Sequence, residues 1–216
     1  MKTATALVIV SLFVFSGCAQ HSSGYNLIPG SPSSALLDKL SHLYPDRFKM
    51  YHRVILTVRG KSYDFNGYLT REGDQISAVG FNDLGGRLFD IISSPQKVEV
   101  LSKPEHMPAK VLRSGVATEL RAIFAAGASE SPFGASTGTE IILIHGRRNI
   151  EYIFDSTLHR IETIIISEGS EKISVIRLRD YQTFAGWNND IPQTIAVFNR
   201  KWNYEMTLRL LQIKSF

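Results

Sequence analysis

Hydrophobic positions recur along this chain with two different periods. Val54, Leu56 and Val58 alternate with Arg53, Thr57 and Arg59, the period of two that marks a half-buried strand. Gly60-Lys61 reads as a turn, after which Tyr63, Phe65 and Leu69 continue the alternation. Arg71-Glu72-Gly73-Asp74 is a second turn, leading into Ile76, Ala78 and Val79. Asn82-Asp83-Leu84-Gly85-Gly86 is a third, leading into Leu88, Phe89, Ile91 and Ile92, and Lys97 to Leu101 makes a fifth strand. Short strands joined by such turns predict an antiparallel meander. Strand patterns resume over 140–145, 150–154, 159–167, 172–180, 193–199 and 204–213. In the last of these Met206, Leu208 and Leu210 share one face, and Glu205, Thr207 and Arg209 the other.

Two stretches follow a helical period instead. Ser31-Pro32 offers an N-cap with proline at the first helical position, Leu36, Leu37, Leu40 and Leu43 follow at helical spacing, and Pro45 ends the run. From Pro108, Leu112, Val116, Leu120, Ile123 and Phe124 form one apolar face, with Lys110, Arg113 and Arg121 on a basic opposite face, and the helix stops near Gly127. A loop rich in Gly, Ser and Ala is expected over 127–139. About eleven strands and two helices predict a mainly β, α+β fold: one strongly curved antiparallel sheet wrapped around helices. Gly67, Gly80, Gly85 and Gly86 fall where bulges or kinks bend such a sheet. A concave sheet with a helix over its mouth either fills its inner side with side chains or keeps a cavity for an apolar ligand.

The N-terminus reads as a processing signal. Lys2 precedes an apolar run from Ala6 to Phe15, too short for the roughly 20 residues that span a bilayer. Phe15-Ser16-Gly17-Cys18 ends at the chain's 1 cysteine. A lone thiol in an oxidising compartment has no disulfide partner, which favours a modified cysteine over an incidental one. The expected division is a signal over 1–17, a Ser-, Gly- and Pro-rich tether over 18–32 and one domain over 33–216. A net charge of +4 over 216 residues is mild and is not gathered into runs. It therefore gives no reason to expect a nucleic-acid partner.

The search for catalytic chemistry is negative. No nucleophile elbow, phosphate-binding loop, dinucleotide fingerprint or zinc-protease motif is present, and the histidines at 21, 42, 52, 106, 145 and 159 form no i, i+4 pair. His145 before Gly146-Arg147-Arg148 reads as a basic hairpin turn. His159-Arg160 reads as a solvated strand edge. No catalytic residue, metal ligand or cofactor is expected. A hydrolase or transferase would need a nucleophile beside a base in the 127–148 region, for example Ser129 or Ser131 with His145.

The order of these features resembles the LolA/LolB superfamily of envelope lipoproteins. Over about residues 36–213 the sequence is similar to LolB. It looks closer still to a lipoprotein family called domain of unknown function 3261, whose genes sit beside aryl-polyene lipid biosynthesis genes. Phe81-Asn82-Asp83-Leu84-Gly85 is similar to a LolB turn with a protruding leucine that helps insert lipid into the outer membrane. His106-Met107-Pro108 and the helix after it are similar to the LolB lid. Ile191-Pro192 and the hairpin 193–213 look like its closing strands, and Asn199-Arg200 with Tyr204 suits the numbered family's C-terminal pattern. Phe15-Ser16-Gly17-Cys18 resembles a bacterial lipobox, with Phe where Leu is usual, and Ala19 implies sorting to the outer membrane. The loop 127–139 and the lack of LolB's Trp-containing second strand depart from the pattern.

The resemblance implies an unclosed eleven-strand barrel with lid helices, LolA/LolB-like. It implies lipidation of Cys18, palmitate among the chains, and a mature protein held at the periplasmic side of the outer membrane. The expected function is binding or transfer of an acyl or polyene lipid, or of lipoprotein acyl chains, with a periplasmic carrier as protein partner. Cavity and lid residues would be Leu112, Val116, Leu120, Ile123, Phe124, Phe65, Phe89, Met206 and Leu208, and Leu84 would form the membrane or transfer loop. The residues alone equally allow Leu84 to pack against a neighbour. A lid must move, so its packing is expected to be marginal. The alternative function is a non-catalytic structural accessory of an envelope assembly, with a filled core.

Overall fold

A computed structural model describes residue 40, residues 42–105, 107–126, 134–137, 139–145, 147–157, 159–185 and 187, and residues 189–215. The side chains of 134–137 and 145 are outside that description. Cys18, Leu36, Leu37, the tether and His106 therefore lie outside the described residues.

The alternation in the sequence becomes one antiparallel sheet. Its strands are β1 (Arg47–Val58), β2 (Lys61–Glu72), β3 (Gln75–Phe81), β4 (Arg87–Ser93), β5 (Val98–Ser102), β6 (Gly134–Thr137), β7 (Glu140–His145), β8 (Arg148–Phe154), β9 (Ile161–Glu168), β10 (Glu171–Gln182), β11 (Ile191–Asn199) and β12 (Tyr204–Ser215). The order across the sheet is β5-β4-β3-β2-β1-β12-β11-β10-β9-β8-β7-β6. β1 and β12 pair from Phe48↔Ser215 to Val58↔Tyr204 and join the two halves. β5 and β6 are the two edges, so the sheet is curved but unclosed. Among the described residues twelve strands stand where about eleven are expected. The extra one is β6, inside the segment read as a loop: Gly134 to Thr137 pair with Leu143 to Glu140, an edge pairing that composition hides.

β1 shows why one face turns inward. Phe48, Met50, His52, Val54 and Leu56 are buried and their neighbours are not, because successive side chains point to opposite faces. The β1–β12 pairing shifts register between Tyr51 and His52, and the β3–β4 pairing between Gly80 and Phe81. Such irregularities bend a sheet. Gly80 leaves room for the Phe89 ring, which a Cβ there would meet at 2.4 Å.

One helical segment spans the inner face after β5. It comprises α1 (Ala109–Val111), a π-helical turn (Leu112–Val116) and α2 (Ala117–Ile123). Regular helix ends at Ile123 and not near Gly127, because Ala125 takes a left-handed φ of 49°. Of the first expected helix only Leu40 is described in helical conformation, and Leu40, Leu43 and Tyr44 are buried in the core. Tyr44, Phe48 and Phe124 meet with ring centroids 5.1–5.8 Å apart, and Phe48 also meets Trp187 at 5.7 Å. Each such pair adds about 0.5–1.5 kcal/mol beyond area burial. They pin the C-terminal end of the helix to the start of β1.

Candidate functional site

The space between helix and sheet is the place a lid-and-barrel reading puts its ligand. Val116, Leu120, Phe89, Met206 and Leu208 do converge there, with His52, Val54 and Leu69, around a cavity of about 30 Å³. Phe65 packs its ring edge-on against Phe89 at 5.5 Å. Leu112, Ile123 and Phe124 are buried, but they do not line this cavity. A volume of about 30 Å³ is one water's share of the liquid. In this conformation the space directly between the helix and the facing strands is filled by side chains of the described residues.

The polar residues of the site carry little sequence signal. Glu119, in the middle of α2, is 1% exposed. One carboxylate oxygen accepts hydrogen bonds from Ser174 Oγ and Asn199 Nδ2, each 2.7 Å. The other accepts from the Tyr204 hydroxyl. Burial raises the Glu119 carboxyl above its ordinary pKa, and the three donors pull it back part of the way. The π-helical turn lies just before this residue. Its Gly115 sits so close to β12 that a Cβ would meet Trp202 Cδ1 and the Tyr204 hydroxyl at 3.0 Å. Asn199 and Tyr204 belong to the C-terminal pattern noted in the sequence. Nothing in that pattern points to a carboxylate 80 residues away in the chain.

The C-terminal end of the helix is fastened as firmly. Arg71, 4% exposed, donates to the carbonyls of Phe124 (2.9 Å) and Gly73 (2.8 Å). Burial lowers its pKa. Tyr152 donates to the Ala122 carbonyl at 3.0 Å. Arg121 donates to Ala126 O at 3.1 Å and to Asp74 O at 2.9 Å, so it is not merely a solvated basic position. Cationic donors at a helix C-terminus satisfy orphan carbonyls and complement the dipole. Arg148 donates from β8 to Thr118 Oγ1 at 2.9 Å. The helix is thus tied to β2, β8, β10, β11 and β12, the opposite of the marginal packing expected for a lid.

Leu84 is at the tip of the β3–β4 hairpin and 95% exposed, so it packs against no neighbour. The turn beneath it is rigid. Asn82 Oδ1 accepts from the amides of Leu84 (3.1 Å) and Gly86 (2.7 Å), an Asx-type turn, and Gly85 takes the left-handed φ of 80° that glycine tolerates. Arg53 braces the adjacent Asp83 at 2.7 Å and Asp64 at 2.6 Å.

Two larger depressions lie elsewhere. A groove of about 570 Å³ runs beside the β11–β12 turn, along Thr57, Arg177, Phe198 and Glu205. A cavity of about 500 Å³ lies beside the helix, between the β4–β5 turn and β7–β8. Arg113, Arg121, Arg147 and Arg148 line it above Leu143, Ile150 and Tyr152. His159 and Arg160 precede β9, where Arg160 pairs with Asp190 at 2.6 Å and stacks over Tyr181. Ser129 and Ser131 lie outside the described residues, as does the His145 side chain. Among the described residues no cluster of His, Cys, Asp or Glu has metal-binding geometry. No described helix is long and apolar enough to cross a membrane.

Among the described residues, an unclosed antiparallel sheet with one helical segment laid across its inner face gives a LolA-like fold. The solved structure of a LolA superfamily protein from Nitrosomonas europaea superposes with a TM-score of 0.58 at 12% identity, covering 87% of this chain and 94% of that one. A DUF1329 family protein from Desulfovibrio piger gives 0.50 at 7% identity, covering 84% and 90%. A putative outer membrane lipoprotein-sorting protein domain from Vibrio parahaemolyticus gives 0.49 at 10% identity, covering 84% and 91%. No protein-family model matches the sequence, and no curated protein matches it. At these identities the likeness is one of fold.

Proposed function

We propose that this chain is an outer-membrane lipoprotein, anchored through a lipidated Cys18, that binds or transfers a hydrophobic lipid-like ligand without catalysing a reaction. The observation that carries the reading is the LolA-like architecture itself: an unclosed sheet whose apolar inner face is spanned, among the described residues, by one helical segment. The lipobox-like Phe15-Ser16-Gly17-Cys18 supports anchoring. The rigid turn that presents Leu84 supports contact with a bilayer, since burying a leucine side chain in lipid is worth about 1.5–3 kcal/mol. A periplasmic carrier protein would deliver or collect the ligand.

An acyl or polyene chain cannot enter a space of about 30 Å³, since small-molecule pockets measure about 300–1,000 Å³. In this reading the helix and its Leu120 and Ile123 side chains separate from the sheet, breaking part of the Glu119 and Arg71 fastening. The narrowness of the space beneath the helix favours the second reading, a structural accessory lipoprotein whose partner is another protein. Native mass spectrometry with lipid extraction, on the soluble form lacking the signal and Cys18 and purified from envelope extract, separates the two. A stoichiometric lipid supports the carrier. An apo mass, with no uptake of a fluorescent fatty acid, sinks it and leaves the structural reading.

A further inference from the structure

The cavity beside the helix differs chemically from everything else on the inner side. Its walls come from three places far apart in sequence. The helix contributes Arg113 and Thr118, the β4–β5 turn Ser94 and Pro95, and the β7–β8 region Arg147 and Arg148. Its floor is apolar, made by the buried Leu143, Ile150 and Tyr152. Glu168 is the 1 carboxylate among the described residues of the lining; Lys201 holds it in an ion pair, Arg148 and Arg147 also act on it, and one carboxylate does not balance the four arginines. Like charges gathered around a concave, partly apolar wall focus a positive potential into it. Arg148 spends a single N–H on Thr118, and a guanidinium has five to offer in a planar fork that matches phosphate oxygens. Arg113 and Arg147 are both exposed to solvent.

We propose that this cavity of about 500 Å³ binds a phosphate or phosphate ester, gripped between Arg113 on the helix and Arg147 and Arg148 of the β7–β8 region. The apolar floor would receive the first carbons of a chain attached to the phosphate. If the source is a lipid head group, this inference rests on the carrier reading. If the source is a free phosphate, it does not. The helix need not move for the anion to bind, because the cavity beside it is already present while the space beneath it is narrow.

The test uses the full chain in a non-ionic detergent and titration calorimetry with inorganic phosphate, hexyl phosphate and 1-hexanol. Hexyl phosphate is expected to bind one per chain and to weaken with added salt. The double variant Arg113→Gln/Arg147→Gln is expected to lose at least tenfold in affinity while melting at the wild-type temperature. Tighter binding of hexyl phosphate than of inorganic phosphate identifies a lipid head group as the source. Equal binding of the two identifies a free anion. Either phosphate binding undiminished in the double variant, or no phosphate binding by the wild type, overturns the proposal. Binding of 1-hexanol without either phosphate overturns it too, while leaving the carrier reading standing.

Discussion

The helix separates two spaces of opposite character. Beneath it, Val116 and Leu120 meet Phe89, Met206 and Leu208 and leave about 30 Å³. Beside it, Arg113, Thr118 and Arg121 line a space of about 500 Å³ together with Arg147 and Arg148. One is narrow and apolar, the other roomy and cationic, and the residues that make them are interleaved along the same helical turns. Between them Glu119 points to a third side and bonds to β10, β11 and β12. The contrast teaches that apolar spacing on a helix says where it packs, not whether anything else fits there. Room is decided by how completely the facing strands fill the gap.

Enlarging the narrow space has the largest expected effect. Leu120→Ala should cost about 2–5 kcal/mol in urea unfolding, by lost burial plus a cavity. In the carrier reading it should also raise uptake of a fluorescent fatty acid, and an unchanged uptake would count against a ligand beneath the helix. Glu119→Ala should cost about 3 kcal/mol, because it strands the buried Ser174, Asn199 and Tyr204 donors. Glu119→Gln should stay within about 1 kcal/mol of wild type, since the amide keeps an oxygen for Ser174 and Asn199.

His52 lines the narrow space, and burial lowers its pKa from 6.5 to about 4. The folded state therefore keeps it neutral while the unfolded chain takes up a proton below pH 6.5. Its contribution is full above that value and is lost as pH falls towards 4. The drop between pH 7 and pH 5 should be about 2 kcal/mol, and His52→Gln should flatten it. Glu119 acts in the opposite sense: its raised pKa means stability declines as pH rises above the ordinary carboxylate value. Urea midpoints across pH for the two variants separate the slopes. Gly115→Ala should cost about 1 kcal/mol by overpacking against Trp202 and Tyr204. Leu84→Asp should leave the urea midpoint unchanged, because the side chain touches nothing. If the turn is the membrane contact, it should abolish flotation of the soluble form with phosphatidylglycerol vesicles, and retained flotation would rule that role out.

Much of this fold is legible in the sequence. The alternation Val54, Leu56, Val58 and the matching Met206, Leu208 predict two inward-facing strands, and they pair across the centre of the sheet. The apolar spacing Leu112, Val116, Leu120, Ile123 predicts a helix whose apolar face is buried, as it is. β6 is not legible, because four small and polar residues have no period to read and owe their strand conformation to β7. Leu84 is legible as a turn residue, but its exposure needs the geometry of Asn82 and Gly85. The buried role of Glu119 is illegible, since an acidic residue between apolar positions reads as solvent-facing.

What the sequence determined by itself is local: which residues alternate, where glycine and asparagine let the chain turn, and which side of each element is apolar. These follow from side-chain direction and backbone conformation, which depend on near neighbours. The tertiary structure decided everything that needs residues far apart in the chain. It brought Ser174, Asn199 and Tyr204 onto Glu119, narrowed the space beneath the helix, and gathered Arg113, Arg147 and Arg148 around one cavity. Filling and charge convergence are properties of a surface made by distant segments, and no local pattern encodes them.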